Sequence, residues 1–180
     1  TFNFTVTATD DENQTNSRAF NLIVLRPIYA TQISNSLRFD GTSSYLNKTP
    51  SASNRRTWTW SGWVKRSNIT SFLSLFAAQS SSSNRVRIIF GTNNEIQVYG
   101  EYTGGTSTSI NLQTNRLFFD TSDWYHIVLA MDTTQATASN RAKLYVNGEQ
   151  ITSFSASTYP GQNDQLEVNA ASPHFIGQKG

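Results

Sequence analysis

The residues of this chain that could do chemistry are a few carboxylates and two histidines. Glu95 and Glu101 flank the segment IQVYG, which alternates like a β-strand. A retaining glycosidase needs two carboxylates about 5 Å apart. An extended strand rises about 3.3 Å per residue, so these two side chains would share a face but stand about 20 Å apart. We therefore predict that the chain is not an enzyme and has no catalytic residues.

The two histidines, His126 and His174, have no nucleophile to join. The chain contains no cysteine, and no serine–histidine–acid arrangement is visible. His126 lies in the segment WYHIVLAMD, where alternate residues from 125 to 131 form an apolar face that excludes it. We predict a half-buried, hydrogen-bonded structural histidine there. Without cysteine, the fold must depend on packing and backbone pairing.

Charge and hydropathy exclude two classes of partner. Fourteen basic and twelve acidic residues among 180 give a net charge of +2, which predicts no nucleic-acid partner. No apolar run is long enough to insert into a membrane. The basic pairs Arg55–Arg56 and Lys65–Arg66 bracket a tryptophan-rich segment, but a strand of this length holds them about 30 Å apart. We predict that all four are solvated strand ends.

The elements that position these residues are strands. Serine, threonine and asparagine dominate, β-branched and aromatic residues fill the apolar positions, and no stretch keeps a helical apolar rhythm. A first hairpin is predicted from Phe2 to Ala8 and from Phe20 to Val24, and Asn147-Gly148 predicts a type I′ hairpin turn. The further predicted strands are NSLRFDG, SSYLNKT, RTWTWSGWVKR, SFLSLFAAQ, RVRIIFG, EIQVYGEY, STSINLQT, WYHIVLAMD, AKLYVNG, EQITSF and HFIGQ.

Five ordered motifs carry a family resemblance. SLRFDGTSSYLNKT, TWTWSGWVKRS, FLSLFAAQ, DWYHIVLAMDTTQATASNRAKLYVNGEQI and PHFIGQ together span about 145 residues. In this order they resemble the laminin G-like, concanavalin A-type jelly-roll domains. The resemblance implies an all-β fold, an antiparallel two-sheet jelly-roll sandwich over residues 28–180.

The two ends of the sequence carry separate expectations. The first 26 residues resemble the closing hairpin of bacterial immunoglobulin-like or cadherin-like repeats, so residues 1–27 are predicted to be the end of such a domain. Residue 1 lies inside a strand pattern, which is typical of a sequence cut from a longer protein. The family's usual last strand, of the form Phe-x-Gly-x-Ile-x-Glu-Val-Arg, does not follow HFIGQ. We expect a sandwich that lacks its last strand or strands, or one that a partner closes.

Calcium is the one cofactor that the resemblance raises. Many laminin G-like domains hold an ion at the sandwich rim with aspartates and backbone carbonyls. Asp40 and Asp132 lie at strand ends where such a site would form, although turn capping explains both carboxylates equally well. Both interpretations stay open at this point.

The aromatic residues supply the candidate ligand-binding positions. In the segment TWTWSGWV, Trp58 and Trp60 alternate onto the predicted core face, whereas Trp63 falls on the opposite face among polar residues. Trp63 either lies under a covering loop, which we favour, or lines a sheet surface where ligands of this fold class bind. Tyr99, Tyr102 and Tyr159 are the candidates to stack on a ligand near the rim loops.

A narrower resemblance suggests the setting. The segments TPSASNRRTWTWSGWVKRS and DTTQATASNR are most similar to copies in tailed-phage structural and fibre proteins. This implies a non-catalytic structural or adhesion module on a virion surface, in a fibre, tail or capsid. Its partners would be other virion proteins or copies of itself, with a host cell-surface glycan as ligand. The alternatives are a bacterial cell-surface adhesin and a carbohydrate-binding accessory domain of a secreted enzyme.

Overall fold

The structure, a computed structural model, describes residues 2–9, 11–22, 35–41, 43–102 and 108–178. It contains two compact units, Thr1–Leu37 and Arg38–Gly180. The predicted domain boundary between residues 27 and 28 lies outside the described residues and stays a prediction.

The first unit is an antiparallel hairpin of β1 (Phe2–Thr9) and β2 (Thr15–Leu22). Phe2 pairs with Leu22 and Phe4 with Phe20. The predicted hairpin is confirmed, although its second strand begins at Thr15, inside the segment predicted as the turn. Val24, at the end of the predicted second strand, lies outside the described residues. The assignment of this hairpin to an immunoglobulin-like domain stays a prediction.

The second unit is built from eleven described strands and one short 3₁₀ helix, Ala138–Asn140. Among the residues that the structure describes, no helix has the length and hydropathy needed to span a bilayer. In chain order the strands are β3 (Leu46–Lys48), β4 (Thr57–Val64), β5 (Leu73–Ser81), β6 (Asn84–Phe90), β7 (Glu95–Tyr102), β8 (Thr108–Leu117), β9 (Tyr125–Asp132), β10 (Ala142–Val146), β11 (Glu149–Ile151), β12 (Phe154–Thr158) and β13 (His174–Ile176).

These strands form two antiparallel sheets. The seven-stranded sheet has the order β12-β8-β7-β6-β5-β13-β3, and the four-stranded sheet has the order β11-β10-β9-β4. Every described strand pair is antiparallel. The predicted all-β, antiparallel two-sheet jelly-roll sandwich is confirmed.

The core fills the space between the two sheets. Alternate residues of β6, β7 and β8 are buried, and they pack with alternate residues of β9 and β10 in two clusters. Trp58 is 8% exposed and belongs to one cluster, and Trp60 packs partly buried against both. The predicted inward orientation of these two tryptophans is therefore confirmed. The fully buried aliphatic side chains include Ile88, Val98, Leu112, Ile127, Leu129 and Leu144.

Two predicted strands differ in the structure. Residues 35–40 form no strand, and the backbone N–H groups of Ser43 and Ser44 instead donate to the Asp40 carboxylate, each at 2.8 Å. The strand β12 was predicted only at its first residue, because its Ser-Ala-Ser-Thr sequence has no strong apolar alternation. It lies at the edge of the seven-stranded sheet, and its pairing with β8, a tertiary interaction, is what orders it.

The prediction of four solvated basic residues is wrong for Arg66. This residue is 2% exposed, with its guanidinium 4.5 Å from the centre of the Phe90 ring and donating to the carbonyl of Phe118. Its burial lowers the pKa of Arg66, against the opposing effects of Tyr125 and Glu95. A long side chain at a strand end can fold back between the sheets, which strand parity alone does not reveal.

Arg55 is also more structured than predicted, whereas Arg56 and Lys65 are exposed as expected. Arg55 Nε donates to the carbonyl of Leu166 at 2.6 Å, and its Nη2 lies 3.5 Å from the buried Glu167 carboxylate. It therefore fastens the segment that includes Leu166 and Glu167 to the start of β4.

The turn between β10 and β11 generates a stability prediction. Asn147 and Gly148 have φ angles of 53° and 84°, as the predicted type I′ turn requires. A Cβ atom added to Gly148 would meet no atom within 4 Å, so a substitution there tests the backbone alone. We expect Gly148→Ala to lower the free energy of unfolding by about 1 kcal/mol, measured by urea denaturation.

The control is Gly148→Asn, because asparagine tolerates the left-handed region better than alanine. We expect a smaller loss for this variant. Equal stability of the alanine and asparagine variants would contradict a positive φ at this position.

Candidate functional site

The outer surface of the seven-stranded sheet carries polar side chains where its opposite surface carries the core. We call this surface the polar face. Its members lie on β5 to β8 and alternate with buried residues such as Val98 and Leu112. They are Gln79, Arg85, Arg87, Gln97, Tyr99, Glu101, Asn111 and Gln113.

Strand register places these side chains in rows across the sheet. Paired residues of antiparallel strands point to the same side, with their Cβ atoms about 5 Å apart. One row passes through Ala77, Arg87, Tyr99, Asn111 and Thr158. Tyr99 therefore stands with a guanidinium on one neighbouring strand and an amide on the other.

The tyrosine ring is held by its neighbours. The Tyr99 hydroxyl donates to Glu101 Oε1, and the Arg85 guanidinium lies 5.3 Å from the centre of the ring. Arg85 in turn forms an ion pair with Glu101, with 3.0 Å between Nη2 and Oε2. The hydrogen bond, the ion pair and the cation–π contact fix the orientation of the ring.

Arg87 occupies a different environment on the same face. Its Nη2 donates to Gln79 Oε1 at 2.8 Å. Desolvation lowers the pKa of Arg87, and the positive charge of Arg85 lowers it further, against the opposing effects of Tyr99 and Glu101. Within the described part of the chain, the Nε atoms of Arg85 and Arg87 are buried without a hydrogen-bond partner.

The amide side chains complete the face. Gln97 Nε2 donates to Asn111 Oδ1 at 2.9 Å, across the β7–β8 pair. Gln113 stands opposite Gln97 in the next row. A surface of amides, guanidiniums and one oriented ring offers donors and acceptors for hydroxyl groups and a flat apolar surface for stacking.

The structure separates the predicted ligand-binding residues. Tyr99 is on the polar face, whereas Trp63 lies on the outer surface of the four-stranded sheet. Tyr159 packs partly buried against the core cluster that includes Trp58. Tyr102 is the last residue of β7, and its side chain lies outside what the structure describes. The four residues therefore do not form one site.

The expectation that a loop covers Trp63 is wrong. It is 44% exposed and stacks on the ring of His126, with 4.9 Å between ring centroids and 20° between ring planes. His126 is half-buried, and its Nε2 lies 3.0 Å from Ser61 Oγ. The prediction of a hydrogen-bonded structural histidine is confirmed, and the histidine supports the exposed tryptophan from the adjacent strand.

The two aspartates proposed for calcium both accept hydrogen bonds in turns. Asp132 accepts from the backbone N–H of Thr134 at 3.0 Å, from its hydroxyl at 2.6 Å and from Gln135 Nε2 at 2.7 Å. Asp40 accepts from the Ser43 and Ser44 backbone. Among the described residues, no group of three or more histidine, cysteine, aspartate or glutamate side chains could hold a metal ion. Calcium binding at these residues stays a prediction, and turn capping accounts for the hydrogen bonds.

The two glutamates examined for catalysis stay apart. Glu95 and Glu101 lie at opposite ends of β7, six residues of extended strand from one another, which corresponds to about 20 Å. Glu95 is 8% exposed and accepts the backbone N–H of Asn93, while Glu101 is on the polar face in its ion pair. Their separation leaves them unable to act together on one glycosidic bond.

Several members of the polar face were not singled out by the sequence analysis. Arg85 and Arg87 alternate with Val86 and Ile88, and Asn111 and Gln113 alternate with buried residues of β8. A polar residue at every second position of a predicted core strand is the signal that could have identified them.

The sequence profile described as "Concanavalin A-like lectin/glucanases superfamily" (Laminin_G_3) matches residues 40–179. The chain belongs to this family. No curated protein matches its sequence.

Two solved structures are similar to this chain at low sequence identity. One is domain 4 of AbnA, a GH43 extracellular arabinanase from Geobacillus stearothermophilus, in complex with arabinotriose, with 16% identity and a TM-score of 0.50 over 69% of this chain and 52% of that one. Another is CBM40 of the Ruminococcus gnavus IT-sialidase bound to alpha2,3 sialyllactose, with 13% identity and a TM-score of 0.44 over 67% of this chain and 63% of that one. The present chain thus spans about half the length of the arabinanase domain.

The Asp132 turn generates a prediction on pH. Hydrogen bonds from Thr134 and then Gln135 lower the pKa of Asp132 below its ordinary value. The ionised carboxylate therefore stabilises the fold above about pH 4, and this contribution is lost as the pH falls through the lower pKa of the folded state. We expect Asp132→Asn to have a lower Tm than the native protein at pH 7, with a gap that narrows in acid.

Thermal unfolding followed by circular dichroism between neutral and acidic pH measures this gap. The control is Asp11→Asn at the exposed hairpin tip, which removes an equal charge. A constant difference between native protein and Asp132→Asn at every pH would contradict the assigned role of the carboxylate.

Proposed function

We propose that this protein is a non-catalytic glycan-binding module and that its ligand lies on the polar face. The observation that carries the proposal is the oriented ring of Tyr99, with Arg87 on one side of its row and Asn111 on the other. A sugar ring has an apolar surface of C–H groups and a rim of hydroxyls. The polar face offers a counterpart to each of them in adjacent positions.

The rigidity of the face supports this function. Arg85 and Glu101 restrain Tyr99, and Gln97 restrains Asn111. Side chains that are already ordered lose less conformational freedom when a ligand binds, so more of the contact energy appears as affinity. A sheet surface is also a firmer support for such groups than a loop.

Family membership supports the same ligand class. The family description names lectins and glucanases, which both bind carbohydrate, and the arabinanase domain with the same fold was solved with an oligosaccharide bound. The wide separation of Glu95 and Glu101 favours binding without hydrolysis. We expect no release of reducing ends when the whole chain is incubated with β-glucans, and release above a buffer control would overturn the non-catalytic assignment.

We further propose that the module is displayed on a phage virion, as part of a fibre, tail or capsid surface, where it contacts host cell-surface glycan. The support is the resemblance of the β4 region and of the loop after Asp132 to phage structural proteins. A bacterial adhesin and an accessory domain of a secreted enzyme are the competing settings. Genes for virion assembly beside the coding sequence would support the phage setting, and a catalytic domain in the same chain would overturn it.

Tyr99→Ala tests the site. If the ring stacks on a sugar, its loss removes about 1.5 kcal/mol of interaction and weakens binding about tenfold. We would first identify ligands by glycan array with the whole chain, with calcium and with chelator. Isothermal titration calorimetry of native protein and variant then gives the ratio of dissociation constants.

Two variants serve as controls. Tyr99→Phe keeps the ring but removes its hydrogen bond to Glu101, so we expect most of the affinity to remain. Trp63→Ala removes the exposed tryptophan of the other sheet, and we expect unchanged binding. Loss of binding in Trp63→Ala with none in Tyr99→Ala would place the ligand on the four-stranded sheet and overturn the assignment to the polar face.

A further inference from the structure

The polar face carries an uneven distribution of charge. It holds two guanidiniums, Arg85 and Arg87, and one carboxylate, Glu101. The carboxylate is used by Arg85 and by the Tyr99 hydroxyl. Among the described residues, no carboxylate lies within 4.0 Å of the Arg87 guanidinium. One guanidinium on this face, that of Arg87, therefore forms no close ion pair within the described residues.

The partial burial of the Arg87 guanidinium is unfavourable, because few protein contacts replace the water that it loses. Arg87 stands in its row between the fully buried Ala77 and Tyr99, and its Nε is buried without an acceptor. The one hydrogen bond that its side chain makes within the described residues is to the neutral Gln79. A partly buried cation with so few partners is stabilised when an anion reaches it.

We propose that the ligand of the polar face is an anionic saccharide, one that bears a carboxylate or a sulfate, and that Arg87 binds the anionic group. This inference rests on the proposed function, since it names the class of glycan bound at the same site. The guanidinium is the side chain best suited to this task, because its planar set of donors matches the paired oxygens of a carboxylate or sulfate.

The dimensions of the row fit a single ligand. Neighbouring strands lie about 4.8 Å apart, so Arg87 and Asn111, on either side of Tyr99, are separated by about 10 Å. An acidic sugar whose charged group contacts Arg87 places its ring, or the ring of the next sugar, over Tyr99. Asn111 and Gln97 are then within reach of its hydroxyls.

Arg85 is less suited than Arg87 to bind the anionic group. Its ion pair with Glu101 and its position against the Tyr99 ring already use its charge. A carboxylate ligand at Arg85 would also meet the negative charge of Glu101, which disfavours it. The asymmetry of the face therefore directs the anionic group to the side of Arg87 and Gln79.

The experiment compares matched neutral and anionic oligosaccharides against the whole chain by isothermal titration calorimetry. Three pairs are used: oligogalacturonate and its methyl ester, sialyllactose and its carboxyl methyl ester, and sulfated and unsulfated lactose. The first two pairs test carboxylates and the third tests sulfate. We expect the anionic member of at least one pair to bind about 10- to 100-fold more tightly than its neutral partner.

Arg87→Gln is the central variant, because glutamine keeps a polar side chain beside Gln79 but removes the charge. We expect it to abolish the preference for the anionic member, measured as the ratio of the two dissociation constants within the variant. Arg87→Lys keeps the charge without the planar donors, and we expect an intermediate preference. Lys143→Gln, on the outer surface of the four-stranded sheet, removes an equal charge and should leave the preference unchanged.

The outcomes separate this inference from the proposed function. Binding of neutral and anionic members with equal affinity, or a preference that survives in Arg87→Gln, overturns the inference and leaves glycan binding intact. Absence of binding to every glycan on the array overturns the proposed function itself. Thermal unfolding of each variant confirms folding, and Arg87→Lys supplies the test if Arg87→Gln does not fold.

Discussion

The packing of two sheets against each other is the interaction on which the rest of this protein depends. Ile88, Val98 and Leu112 from the seven-stranded sheet are fully buried in one cluster with Leu129 from the four-stranded sheet. The chain has no cysteine, so this apolar contact and the backbone pairing must hold the fold without disulfides. Because side chains alternate along a strand, burying one set commits the other set to the outside.

The polar face is a consequence of this alternation and of the strand register. The pairing of β6 with β7 brings Arg87 beside Tyr99, and the pairing of β7 with β8 brings Asn111 to its other side. The register shifts between Glu95 and Gln97, after which the pairing along the rest of β7 is regular. The ion pair of Arg85 with Glu101 then fixes the ring that this register has positioned.

Sequence alternation alone predicted the inward Trp58 and Trp60, the outward Trp63 and the structural role of His126. It also predicted most of the strands, because their apolar residues recur with a period of two. It did not predict the burial of Arg66 or the strand β12, since both depend on tertiary contacts with Phe118 and with β8. Tyr99 was identified as a candidate, but its partners were not, because the row across three strands depends on a register that no single segment encodes.

Along β6 to β8, selection for stability acts on the buried residues, and selection for recognition acts on the outward residues that alternate with them. Residues such as Val86 and Ile88 maintain the fold, while Arg85 and Arg87, which alternate with them, are on the outer surface. A substitution at an outward position leaves the buried neighbours in their places and changes the chemistry that the face presents. Proteins with this fold can therefore change their ligand by substitutions at outward positions, without first gaining the stability that a substitution in the core would require.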